Sequence, residues 1–336
     1  MKKIQELLKK LYNEKQIAGL SVAITDKKKT LATFNYGFAN ASEKTLVEDS
    51  SLFRIASISK IVTGLCVMRL VDDGRLDLNA CVGEYVEWLK TPFAELTLNS
   101  LLSHTAGLPK EYTPDGTRDE GLLEQSLIDE LAKVDMSKVG NGKPYLYSNV
   151  GIRLASLIVQ KIVGEPFSKV AKRLVLEPLQ MMDTTYYLQD ALKGNMTTPH
   201  QIVEGQFKTV SHWENAVRYG AGGLISTASD VCKLARVLLN LGVTDSGKRL
   251  ISESLVRDMT TPVCPSSKGD YYGKTIMLHA YDDRLLSGHL GSAPPYYANV
   301  VADYKSGYGV VVLYNTEDDG KLRYQITDAV LDCLTK

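Results

Sequence analysis

Strand-like segments lie near both ends of this chain, and the long stretch between them reads as helical. LSVAIT (20–25) and TLATFNYGF (30–38) are rich in β-branched and aromatic residues. The charged Asp26-Lys27-Lys28-Lys29 between them gives the pattern of a hairpin. Tyr296–Asp303 and Gly307–Asn315, joined through Tyr-Lys-Ser-Gly, repeat that pattern near the other end. Between the two pairs, Ser59–Asp73 carries Ile61, Leu65, Met68, Leu70 and Val71 on a helical repeat and stops at Gly74, a natural residue for the end of a helix. Helices are also predicted over Leu122–Lys133, Asn149–Val163, Pro166–Leu174, Ala228–Leu241, from about Ser252, and over Leu322–Cys333. Thr227 and Asp230, three apart, suit a capping box. The arrangement predicts an α+β fold: one sheet built from both ends of the chain, with a helical lobe inserted between them. The expected division is a discontinuous α/β domain of residues 1–55 and 215–336 and a mainly helical domain of residues 56–214.

Ile4, Leu7, Leu8 and Leu11 place one apolar face on an N-terminal helix, and no apolar core of a signal peptide follows the opening lysines. No later stretch reaches the roughly 18 to 20 continuous apolar residues of a membrane helix. The chain as given therefore reads as a soluble, cytoplasmic protein with no membrane segment, or an exported one if a leader was removed. Lys plus Arg and Asp plus Glu each number 39, so no single-sign field favours nucleic acid, and a small molecule is the expected partner. The oligomeric state is left open. The five cysteines are scattered, without metal-ligand spacing, and read as free thiols; Cys66 and Cys232 fall on apolar helical stretches as core residues. Neither a metal nor a cofactor is expected.

Three short patterns carry chemistry. Ser57-Ile58-Ser59-Lys60 is an S-x-x-K at the start of an apolar helix. Residues three apart share a helix face, so the Lys60 amine can lie beside the Ser57 hydroxyl, which is a poor nucleophile until a base takes its proton. The alternative is a capping serine followed by a solvated lysine. Tyr147-Ser148-Asn149 opens another helix. A phenol near an amine can be held partly or wholly ionised and exchange a proton with Ser57, while the Asn149 amide can hold both Lys60 and a substrate carbonyl. A buried tyrosine before an asparagine cap is the plainer account. His289-Leu290-Gly291-Ser292 precedes the strand at Tyr297. The Ser292 N–H can complete an oxyanion hole with that of Ser57, and Gly291 permits close backbone approach. His289 would face the cleft as a donor or a cation titrating near neutrality, unless it is structural.

In order and approximate separation these patterns resemble the S-x-x-K, Y-x-N and K/H-x-G boxes of the penicillin-recognising serine hydrolases. FRIASISKIVTG, LVDDGRLDL, LLSHTAGLP, YGAGGLISTASDVCKL and GYGVVVLYN are similar to that superfamily as well, over about Gly19–Asn315. The branch with Tyr-x-Asn is that of class C β-lactamases, DD-peptidases and family VIII-type esterases. The resemblance implies a β-lactamase/transpeptidase-like fold. It also implies Ser57, Lys60 and Tyr147 as catalytic residues, with Asn149, His289, Gly291 and Ser292 holding the substrate and the oxyanion. His289 stands where β-lactamases usually have lysine, which favours a D-amino-acid peptidase or amidase, or a carboxylesterase. A class C-like β-lactamase and a non-catalytic sensor are the alternatives.

Several neighbouring features are weighed beside these boxes. His104 is expected to tie a loop beneath the second box. Lys274-Thr275 is read as a surface or strand feature. Pro294-Pro295 stiffen the turn before Tyr296 and Tyr297, which could form an aromatic wall. Trp213, Tyr186, Tyr187, Tyr271 and Tyr272 could line a substrate groove, although aromatic side chains are core material first.

Overall fold

The computed structural model describes residues 1–89, 93, 95–111, 118–267 and 269–335. Gly19–Thr25 (β1) pairs antiparallel with Thr30–Asn40 (β2) across the charged turn. An acid side chain shapes that turn: Asp26 Oδ1 accepts the N–H groups of Lys28 and Lys29 at 2.7 and 2.8 Å. The remaining strands of the sheet are Thr45–Leu46 (β3), Cys264–Ser267 (β4), Asp270–Tyr272 (β5), Met277–Tyr281 (β6), Arg284–Ala293 (β7), Tyr296–Asp303 (β8) and Tyr308–Tyr314 (β9). Their order among the described residues is β3-β2-β1-β9-β8-β7-β6-β5-β4. The β1–β9 pairing, from Leu20 opposite Tyr314 to Thr25 opposite Gly309, joins the two ends of the chain.

The main helices are Lys2–Glu14 (α1), Ser59–Asp72 (α2), Asn149–Val163 (α3), Ala228–Leu239 (α4) and Leu322–Thr335 (α5). Side chains alternate across the sheet with period two. Val310, Val312 and Tyr314 join Leu20, Val22 and Ile24 in a core that α1 and α5 cover, with Ile4 and Leu8 of α1 buried in it. Val311, Leu313, Ala298 and Val300 point the other way, into the large core shared with α2, α3 and α4. Helix α2 is apolar on nearly every side, from Ser59 to Leu70, because neighbours surround it. Cys66 and Cys232 are buried in this larger core. Among the described residues no helix is long and apolar enough to cross a membrane.

Local chemistry sets the ends of α3. Ser148 Oγ accepts the Gly151 N–H at 3.0 Å, and Gly164 closes the helix at φ +80°. The helix predicted over 166–174 is two pieces, Phe167–Ala171 and a wider π-turn over Lys172–Leu176. The expected capping box at Thr227 is half formed. Thr227 accepts the Asp230 N–H at 3.1 Å, but the Asp230 carboxylate accepts instead from the Asp183 N–H and Thr184.

Two further expectations are corrected. Lys274 and Thr275 are buried, with the Thr275 N–H donating to Leu102 O at 2.8 Å and Lys274 Nζ bonded to Asp258. They brace the helical region against the sheet edge. Tyr296 and Tyr297 are also buried: Tyr296 donates to the Thr197 carbonyl, and Tyr297 stacks on Tyr314 with centroids 5.2 Å apart. Facing core on both sides of β8, they form no cleft wall.

Candidate functional site

Phe53–Arg54 pairs with Ile225–Ser226 and delivers the chain into a tight turn at Ala56–Ile58 before α2 begins. Ala56 has φ +45°, a left-handed conformation that costs a residue with a Cβ and directs the turn at Ser57. Ser59 holds it there: its fully buried hydroxyl donates to Ala56 O at 2.7 Å and accepts the Leu224 N–H at 3.0 Å.

Lys60 is 0 % exposed and donates through Nζ to Ser57 Oγ at 3.0 Å and to Ala221 O at 2.6 Å. Its Nζ also lies 4.8 Å from the Tyr147 ring centroid. Burial lowers the ammonium from 10.5 to about 7; the Glu111 charge works against that shift, and Arg218 and Lys110 reinforce it. Tyr147 moves the other way. Burial pushes its phenol well above the ordinary range, with a bond to Ser57 offsetting part of the rise. The expected ionised phenol is thus replaced by a neutral one, and the lysine is the group poised near neutrality.

Asn149, at the start of α3, donates through Nδ2 to Glu111 Oε2 at 3.2 Å, and its Oδ1 is buried without a hydrogen-bond partner. The amide was expected to hold Lys60; the carbonyl of Ala221 does so instead. Glu111 also accepts from Arg218 Nε and lies 4.0 Å from Arg153. The only sequence signal for Glu111 is its position two residues after the LLSHTAGLP run.

His289 lies inside β7 rather than ahead of a strand, and it is 2 % exposed. Its Nδ1–H donates to Leu290 O at 2.6 Å, which leaves Nε2 to accept the Tyr272 hydroxyl at 3.0 Å. Burial, reinforced by the Lys60 charge, lowers the ring to about 3. The expected titrating cation is therefore a neutral, fully bonded ring. His104 plays the scaffold role anticipated for it, with Nδ1 accepting the Ser148 N–H at 3.2 Å and its ring 4.6 Å from that of Tyr147.

Strand β6 accompanies β7 only as far as Met277 opposite Gly288. Past that point β7 runs against the Ser57 turn, so closely that a Cβ on Gly291 would sit 2.2 Å from Ile55 O. Arg323 of α5 clamps this section, donating to the Gly291 carbonyl and to Ser292 Oγ at 2.9 Å. Neither Arg323 nor Tyr272 was singled out for such a role from the sequence. Ser57, Asn149 and Ser292 open onto one cavity of about 230 Å³ shared with Arg54, Trp213 and Tyr219. A hydroxyl beside an amine that is half neutral at pH 7, next to a neutral phenol, can perform nucleophilic and acid–base chemistry on a carbonyl.

A family model described as Beta-lactamase matches residues 3–332. Protein flp of Staphylococcus aureus (strain COL) is 24% identical over 315 residues, 90% of this chain, and the chain spans 60% of that protein's length. The fold is similar to that of a D-amino acid amidase from Ochrobactrum anthropi SV3, solved with L-phenylalanine amide, at TM-score 0.85 and 22% identity over 98% of this chain and 97% of the other. It is equally similar to an octameric penicillin-binding protein homologue from Pyrococcus abyssi, at TM-score 0.85 and 21% identity over 99% of this chain and 76% of that one.

Proposed function

Because the chain belongs to the beta-lactamase family, we propose that it is a serine hydrolase whose Ser57 attacks amide or ester carbonyls and forms an acyl-enzyme. The observation that carries this is the 3.0 Å contact between Ser57 Oγ and a fully buried Lys60 whose ammonium is lowered to about 7. Neutral Lys60 takes the Ser57 proton as Oγ bonds to the carbonyl carbon, and the N–H groups of Ser57 and Ser292 hold the oxyanion. Tyr147 gives its phenolic proton to the leaving nitrogen or oxygen and recovers one from Lys60. Water then attacks the acyl carbonyl with Lys60 again as base, and Lys60 returns that proton to Ser57 Oγ as the acyl bond breaks. The site lies at the junction of a discontinuous domain, 1–55 with 215–336, and a helical domain, 56–214.

Amides and peptides of D-amino acids rank first as substrates, supported by the full-length likeness to the D-amino acid amidase; carboxylesters rank second. β-Lactams rank lower because the third box presents a neutral histidine. Intact-mass measurement after incubation with a fluorophosphonate tests the reading: one adduct is expected, lost in Ser57→Ala. No adduct on the wild type would leave a non-catalytic sensor. A panel of p-nitrophenyl esters, D-aminoacyl amides, D-Ala-D-Ala peptides and nitrocefin then identifies the leaving group.

A further inference from the structure

The cavity beside Ser57 contains a guanidinium that the fold buries and leaves largely unused. Arg54 stands three residues before Ser57, lines the same cavity and is 4 % exposed. It donates through Nη2 to the Trp213 carbonyl, and its Cζ lies 4.3 Å from the Trp213 ring centroid. Its Nε is buried with no hydrogen-bond partner. No carboxylate forms an ion pair with it among the described residues.

Arginines that support this fold meet more of their donors: Arg323, whose Nε is likewise unpartnered, still donates to Gly291 O, Ser292 Oγ and Ala298 O. Arg153, 0 % exposed, donates to Val217 O, Glu130 and Ser126. Arg236 grips Asp245 with two nitrogens and reaches Thr25 and Thr30 as well. A buried guanidinium is costly unless its donors and charge are met, and Arg54 has met one donor of five. Glu214 lines the same cavity and its charge favours the Arg54 cation, yet its Oε1 accepts from the Tyr219 hydroxyl at 3.0 Å and the Leu188 N–H at 3.3 Å. Arg218, the other cation lining the cavity, is paired with Glu111. The third box contributes no charge, since His289 is neutral.

We propose that Arg54, held over Trp213, binds a carboxylate of the substrate, so that this site takes amides or esters carrying a free carboxylate in the part that enters the Arg54–Trp213 end of the cavity. With Nη2 on the Trp213 carbonyl, the other guanidinium donors have no partner among the described residues, and an arginine can meet a carboxylate with two parallel hydrogen bonds. The substrate class rests on the acyl-enzyme reading of Ser57; the anion site itself does not.

The two are separated by testing binding without chemistry. In Ser57→Ala protein, calorimetry should show glutarate binding about tenfold or more tighter than its neutral diamide, as expected for charge-assisted hydrogen bonds. Arg54→Gln should erase that preference, and Arg54→Lys, which keeps charge without the fork, should restore part of it. Equal binding of the two ligands, or an undiminished preference in Arg54→Gln, overturns the proposal. Inorganic phosphate binding as tightly as glutarate overturns the carboxylate assignment. The wild type needs no variant: kcat/KM for the mono-p-nitrophenyl ester of glutaric acid should exceed that for p-nitrophenyl pentanoate by a similar factor, and a ratio of one or less counts against the proposal. If no substrate turns over and no adduct forms, the acyl-enzyme reading fails, while the glutarate measurement still decides Arg54.

Discussion

Tyr272 donates its hydroxyl hydrogen to Nε2 of His289 over 3.0 Å, and the opposite ring nitrogen donates to Leu290 O at 2.6 Å. Burial, reinforced by the nearby Lys60 charge, lowers the ring's pKa to about 3, so it stays neutral and Nε2 remains an acceptor. Lys60, at about 7, is then the group of this site that titrates near neutrality. Only neutral Lys60 can take the Ser57 proton, and its neutral fraction rises with pH. For a neutral ester, kcat/KM between pH 5 and 9 should show one ascending limb with an apparent pKa near 7. His289→Asn should keep that single limb whatever its amplitude. A second limb between pH 5 and 8 that vanishes in His289→Asn would return the titration to the histidine.

The same lysine makes stability depend on pH. Its ammonium titrates at about 7 in the fold against 10.5 for an ordinary solvated lysine. Below pH 7 both states are protonated and the folded state bears the burial cost. Between about 7 and 10.5 the unfolded chain binds more protons, so the contribution of this group to stability rises with pH. Lys60→Met removes the buried charge, and its Tm relative to wild type should therefore be most favourable at pH 6 and less so at pH 9. Calorimetric scans at the two pH values check the sign; a difference that grows more favourable toward pH 9 would contradict the depressed lysine.

Tyr147→Phe removes one proton site and keeps the ring that packs 4.6 Å from His104. The expected result is a fall in kcat of about 10² to 10⁴, the usual contribution of a general acid or base, with little change in Tm. An unchanged kcat on the best substrate would assign Tyr147 to packing.

What could be read from the sequence depended on whether neighbours in space were neighbours in the chain. Ser57 and Lys60 share one helical turn, and Asn149–Val163 has a clear apolar repeat, so both were visible, although the helix cap is Ser148 and not the expected asparagine. Strands β4 to β6 are only three to five residues long, and β7 is interrupted by Gly288 and Gly291, so no alternation marked them. The charge states of Tyr147 and His289 were misjudged because burial sets them, and burial comes from Tyr272, His104 and the sheet, which lie far apart in the chain. The clamp by Arg323 on Gly291 and Ser292 spans about thirty residues, and no spacing rule announces it.

Gly291 offers the strictest test of how the sheet serves the nucleophile. A Cβ built there would fall 2.2 Å from Ile55 O and 3.1 Å from the Ala298 Cβ, so Gly291→Ala cannot be absorbed by turning a flexible side chain. Either β7 or the Ile55–Ser57 turn must retreat by about 1 Å, and β7 is also tied to α5 through Arg323. Overpacking of this kind costs about 1 to 3 kcal/mol, while misplacing catalytic groups by about 1 Å can cost about 10² in rate. Gly291→Ala should thus reduce kcat/KM and the rate of fluorophosphonate labelling together, by about a hundredfold, because both need the Ser57 and Ser292 N–H groups at one oxyanion. Gly74→Ala is the control: with φ +67° and no atom within 4 Å of a built Cβ, it should lower Tm through backbone strain of about 1 kcal/mol and leave the labelling rate alone. If Gly291→Ala labels at the wild-type rate, the close approach of β7 to Ile55 is structural, and the oxyanion role of Ser292 falls with it.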